Sequence, residues 1–132
     1  MKGLFVNKND KVVIDLYACL NKEKSNIYIS ADKEALLKNN GADEETVQKH
    51  SITFRRPNYG DNVYIYGESV KMGEEGVEIK GAKLQYEKMI RLLESWTLCD
   101  EDGKVMPATR DSVLSLNPDL ANLIIEELDK KI

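Results

Sequence analysis

The apolar residues of this chain change their period part way along it. Up to about residue 57 they tend to fall at every second position, the period of a half-buried strand. After Gly76 they recur three and four apart, the period of one helix face. A chain of 132 residues that switches period once has the length of one ordinary domain with two kinds of element. The reading is a single α+β domain over residues 1–132. It is strand-rich over 1–57 and helical over 58–132, with a small N-terminal antiparallel sheet and a helical C-terminal half.

Three runs carry the strand signal. Lys11–Tyr17 (KVVIDLY), Asn26–Ser30 (NIYIS) and Ser51–Arg55 (SITFR) are rich in β-branched and aromatic residues and are separated by polar turns. Asp32–Leu37 reads as one or two helical turns stopped by Asn39-Asn40-Gly41, and Asp43–Gln48 as a short acidic helix start. Residues 62–72 stay open between two structures. NVYIY favours a strand, whereas Asp61 as a cap would put Ile65 and Met72 on one helical face. Gly73–Gly76 marks a break.

The strongest helical stripe lies in residues 79–96. Tyr86, Met89, Ile90, Leu93 and Trp96 follow at three- and four-residue steps or a continuation of them. Glu87 and Arg91 form an i,i+4 pair on the other face. The spacing predicts that Trp96 is buried between this helix and a C-terminal one. That last helix is announced by Asn117 as cap, Pro118 at the first helical position and Asp119 in the first turn. Leu120, Leu123, Ile124 and Leu128 give it one apolar face, which Ala121 and Ile125 widen. Thr109 caps a shorter helical turn before it.

The chemistry-bearing candidates are few. Asp100-Glu101-Asp102-Gly103 has carboxylates but not the spacing of a calcium loop, so Asp102-Gly103 reads as a tight turn between Trp96–Leu98 and Val105-Met106. Cys19 and Cys99 are expected to be buried thiols in a reducing compartment, and with one histidine they make no zinc set. His50 has no nucleophile and acid set around it in sequence. No phosphate loop follows the glycines at 73, 76 and 81. No metal, cofactor or catalytic residue is therefore assigned. A net charge of −4 argues against nucleic acid as a partner. The short apolar runs argue against a membrane span or leader and for a cytoplasmic protein.

Two stretches together, TFRRPNYGD and WTLCDEDGKVMPATRDSVLSLNPDLANLIIEEL, resemble the small tail assembly chaperones of long-tailed bacteriophages. The residues that carry the likeness are Phe54, Arg55, Arg56, Pro57 and Asp61, then Trp96, Leu98, Asp100, Gly103, Pro107, Thr109, Leu116, Pro118 and Leu120. The resemblance implies a non-enzymatic protein of the host cell cytoplasm that binds the tape-measure protein or tail tube subunits during tail morphogenesis. Self-association is expected of such a protein. Arg55, Arg56, Tyr59, Leu120, Ile124, Ile125 and Leu128 are the candidate partner-binding residues. Two other readings stand beside it. One is a structural tail or neck component of the virion. The other is a single-stranded nucleic-acid-binding module using Arg55, Arg56, Tyr59, Tyr64 and Tyr66.

Overall fold

The computed structural model describes residues 3–73, 76–79 and 81–132. Strands β1 (Lys11–Leu20), β2 (Ile27–Ser30) and β3 (Gln48–Arg55) form an antiparallel sheet with β6 (Leu93–Trp96), in the order β2-β1-β3-β6. Between them come helix α1 (Lys33–Leu37) and a 3-10 turn at Glu44–Thr46 capped by Asp43. Helices α2 (Tyr59–Ser69), α3 (Gly81–Leu92), α4 (Arg110–Leu114) and α5 (Pro118–Lys131) belong to the second half of the chain. The expected α+β class holds. The sheet belongs mainly to the N-terminal half and the helices to the C-terminal half.

The strands follow the alternation that predicted them, but two run further. β1 continues past Tyr17 to Leu20, and β3 begins at Gln48 rather than Ser51. The reason is that β1 has two apolar faces. Val12, Ile14 and Leu16 point to the main core, while Cys19 points the other way. Cys19 packs there with Leu36, Ala42, Tyr17, Tyr28 and Val47 under α1 and the 39–47 segment. The reverse face is thus covered at one end and bare at the other, where Val13, Asp15 and Lys49 meet solvent.

The helix expected over 79–96 ends four residues early, and Leu93–Trp96 is the edge strand β6. A bulge reconciles the spacing with the strand. Ile52 pairs with Trp96 and Thr53 with Ser95, but Phe54 pairs with Leu93. Glu94 is the extra residue, so Leu93 and Trp96 both face inward although they are three apart. A helical step and a bulged strand place those two side chains on one face equally well. Trp96 is 8% exposed, as expected, but it reaches the core from the sheet. Its Nε1 donates to the Met106 carbonyl oxygen at 2.6 Å.

The stretch left open at 62–72 divides. Asn58 Oδ1 accepts from the Asp61 amide at 2.8 Å, and Asp61 Oδ2 accepts from the Asn58 amide at 2.9 Å. This reciprocal pair is a capping box, so α2 starts before Asp61, and Asp61 sits in the first turn rather than at the cap. Ile65 is buried on α2, whereas Met72 falls in β4 (Val70–Gly73). β4 pairs with β5 (Gly76–Ile79) as a separate two-stranded ribbon that the sequence pattern had shown only as a break.

The remaining punctuation is as expected. Thr109 caps α4, and Asn117 caps α5 with Pro118 in its first turn. Gly103, at φ +80°, closes the turn, with Cys99 bridged to Val105 across it. The Asp100 carboxylate accepts from the amides of Asp102 and Lys104. Cys99 is exposed, not the buried thiol expected, because its strand partner is a solvent-facing hairpin. The main core lies between the sheet and the helices. Ile14, Leu16, Ile52 and Phe54 meet Met89, Leu92, Ile124 and Leu128 there, closed at one side by Trp96 and Leu98.

Because Trp96 fills the junction between β6 and the core, Trp96→Ala should cost roughly 3–5 kcal/mol. Urea unfolding followed by circular dichroism measures this. The native protein should show the blue-shifted emission of a shielded indole.

Candidate functional site

The partner-binding residues proposed for α5 divide by exposure. Ile124 and Leu128 have no exposed surface and belong to the chain's own core. Leu120 and Ile125 are half-buried and sit on opposite flanks of that helix face, where each lines a different depression. An apolar face wider than one sheet can cover leaves its two margins at the surface.

Ile125 opens onto a groove of about 520 Å³ between α3, α4 and α5. Ala121, Leu116 and Leu114 line it with Tyr86 from α3. Leu114 is 65% exposed. The Arg110 guanidinium stands 5.8 Å from the centre of the Tyr86 ring at its side. Gln85 also lines the groove, and its Oε1 is a buried side-chain oxygen without a hydrogen-bond partner among the described residues. The wall therefore offers a broad apolar surface.

Leu120 opens onto a second cavity, of about 330 Å³, at the far end of the sheet's core face. The helices cover Val12 to Leu16 but stop short of Ala18, Ile27 and Ile29. Those three form the floor, and Leu98, Met106 and Leu116 form a wall. His50 and Cys99 also line it. The His50 Nδ1 is 3.2 Å from the Thr97 carbonyl oxygen, so the ring is engaged with backbone rather than with a thiol or a carboxylate. An adjoining trough continues the cavity along Leu20 and Val47, bordered by Glu45, Asp100 and Glu101.

The arginine-rich strand end is built around an acid. Asp61, 3% exposed, accepts from both terminal guanidinium nitrogens of Arg55 and from the Nε of Arg91 at 2.9 Å. Arg91 was expected to pair with Glu87 on its own helix. It turns instead to Asp61 and lies 4.2 Å over the Tyr64 ring. The Arg55 hydrogen bonds hold the Asp61 carboxyl well below the usual carboxylate range, against the opposing effect of burial. In return they raise the Arg55 guanidinium further. Arg56 donates to the Lys131 carbonyl oxygen at 3.2 Å, tying the end of α5 to the end of β3. Tyr59, Tyr64 and Tyr66 are exposed beside these cations. Arg55 and Arg91 share one buried carboxylate and Arg56 is bonded to backbone, so all three guanidinium groups are engaged within the fold.

Among the described residues no group of three or more potential ligand side chains converges as a metal site would require. No helix among them is long and apolar enough to cross a membrane. Neither depression was legible in the sequence, because Ile27, Met106 and Leu116 are brought together only by the sheet register and the α4–α5 connection. Comparison with protein-family models, with curated proteins and with solved structures finds no match to this chain.

Replacing Asp61 by Asn leaves two guanidinium groups without their anion. The expected loss is roughly 2–4 kcal/mol, below the usual cost of breaking a fully buried pair because both arginines keep some contact with water. The pH dependence has a definite sign. A carboxyl whose folded pKa is lowered contributes its full stability at neutral pH, and this is lost as the pH falls below the range in which the unfolded carboxyl protonates. Denaturant titrations should show wild type losing this stability on the acid side and Asp61→Asn showing a flatter acid limb.

Proposed function

We propose that this chain is a protein-binding module of the tail assembly chaperone kind. Its partner is an amphipathic helical segment, of the sort a phage tape-measure protein supplies, or a tail tube subunit. The observation that supports this most directly is the groove between α3, α4 and α5. Leu114 and Ile125 present apolar surface beside Tyr86, and a helix laid in such a groove uses side chains at i, i+3 or i+4, and i+7 as anchors. Partner binding by α5 falls to its Ile125 margin in this reading, with Ile124 and Leu128 supporting the helix from below. No cofactor takes part, and no reaction is assigned.

Leu114→Asp changes an exposed position in the groove. Ile125→Asp is the stronger lesion, with some cost to the adjoining core. Co-expression with a tagged tape-measure fragment should recover the wild-type chain in a pull-down. Leu114→Asp should reduce recovery at least tenfold with an unchanged circular dichroism spectrum. Recovery of the chain in stoichiometric amount from mature particles, with no capture by any tape-measure or tube fragment, would put a structural tail component in place of the chaperone.

A further inference from the structure

The second cavity, at the far end of the sheet, has a counterpart elsewhere on the same chain. Leu4, Phe5 and Val6 lie outside the core, and Phe5 is 91% exposed. They are presented by an ordered turn. The Asp10 amide donates to the Asn7 carbonyl oxygen at 2.9 Å, the Asn9 amide to Asn7 Oδ1, and the Asn7 amide to Asp10 Oδ2. The Arg56 amide in turn donates to the Asp10 carbonyl oxygen, so the turn is fastened to the end of β3. A large aromatic held out from a fastened turn meets water at a real cost in apolar exposure.

The charges match as well. Lys8 is the one charged residue of the described stretch 3–9, and the Asp10 carboxylate that follows is taken up within the turn. The cavity and its trough are bordered by Glu45, Asp100 and Glu101, and among the described residues no lysine or arginine lines either. We propose that the Leu4–Val6 arm of one copy inserts Phe5 into the apolar cavity floored by Ala18, Ile27 and Ile29 of a second copy, with Lys8 toward the acidic border.

The occupant comes from another copy because of reach. The arm leaves β1 at Lys11, whereas the cavity begins near Leu16 and extends toward Leu20. From Lys11 to Ala18 the strand runs about 23 Å at its normal rise. The six residues from Lys11 back to Phe5 span at most about 20 Å fully extended, and residues 7–10 are folded into the turn. Donor and acceptor lie at opposite ends of one strand, so two copies related by a two-fold axis can each seat an arm in the other's cavity, and the exchange closes as a dimer.

The test uses the full chain and two surface variants. Phe5→Asp removes the arm's anchor, and Ile27→Arg blocks the cavity at a half-exposed position on an edge strand. Size-exclusion chromatography with light scattering over a range of concentrations should show wild type as a dimer and each variant monomeric, all with native circular dichroism. An equimolar mixture of the two variants should form a weaker dimer than wild type, since one intact arm and one intact cavity remain. A synthetic peptide of residues 1–10 should shift the emission of Trp96, which lines the cavity, in the Phe5→Asp protein and not in Ile27→Arg. Wild type that stays monomeric at every concentration overturns the proposal. So does a dimer that survives Phe5→Asp, or variants that fail to complement on mixing.

Discussion

Asp61 is the constraint on which the rest of the architecture depends. One buried carboxylate gathers the last residue of β3, the first turn of α2 and the final turn of α3. Apart from a long Arg55 bond to the Arg91 carbonyl oxygen and the stacking of Arg91 on Tyr64, these three segments meet through apolar contacts, which tolerate sliding. Hydrogen bonds to a single anion do not, because each lost contact leaves a charge or a donor without a partner in a nearly dry place. Arg91 lies in the last turn of α3, beside the point where the chain leaves the helix and Leu93 to Trp96 run along the sheet. Asp61 thereby positions the edge strand and, through Trp96 and its bond to Met106, the hairpin that walls the far cavity.

The fold class could be read from the sequence because period-two and helical patterns have different physical causes and here occupy different halves of the chain. Caps were legible too, since Thr109 and Asn117 satisfy exposed helix amides by local bonds that need no tertiary partner. What could not be read depends on contacts distant in sequence. Leu93 and Trp96 carry a helical interval, yet the Glu94 bulge gives them the same inward aspect in a strand. The arginines of the 55–56 pair read as a possible nucleic-acid element, and only the fold reveals that Arg55 shares Asp61 with a residue thirty-six positions later. The α5 face was read as one surface. In three dimensions the sheet takes its centre, and the two margins open onto separate depressions.

These depressions divide the surface into unlike regions. The α3–α5 groove is apolar, as a passing helix would find useful. The far cavity is apolar within and acidic at its border. The two lie on opposite flanks of α5, with the buried Ile124 and Leu128 between them, and meet at Leu116, which lines both.

The two-faced end of β1 has a further consequence. Cys19, Leu36 and Ala42 form a small cluster on the side of the sheet away from the main core. Few buried groups hold α1 and the 39–47 segment beside their backbone bonds to the end of β1, so this flap is expected to open at a lower free energy than the helical side, its amide hydrogens exchanging ahead of those of Ile52 and Phe54. The Cys19 thiol, raised in pKa by burial and then by Asp43, is unreactive while the flap is closed. Its rate of alkylation therefore reads out the breathing of one side of the sheet without disturbing the other.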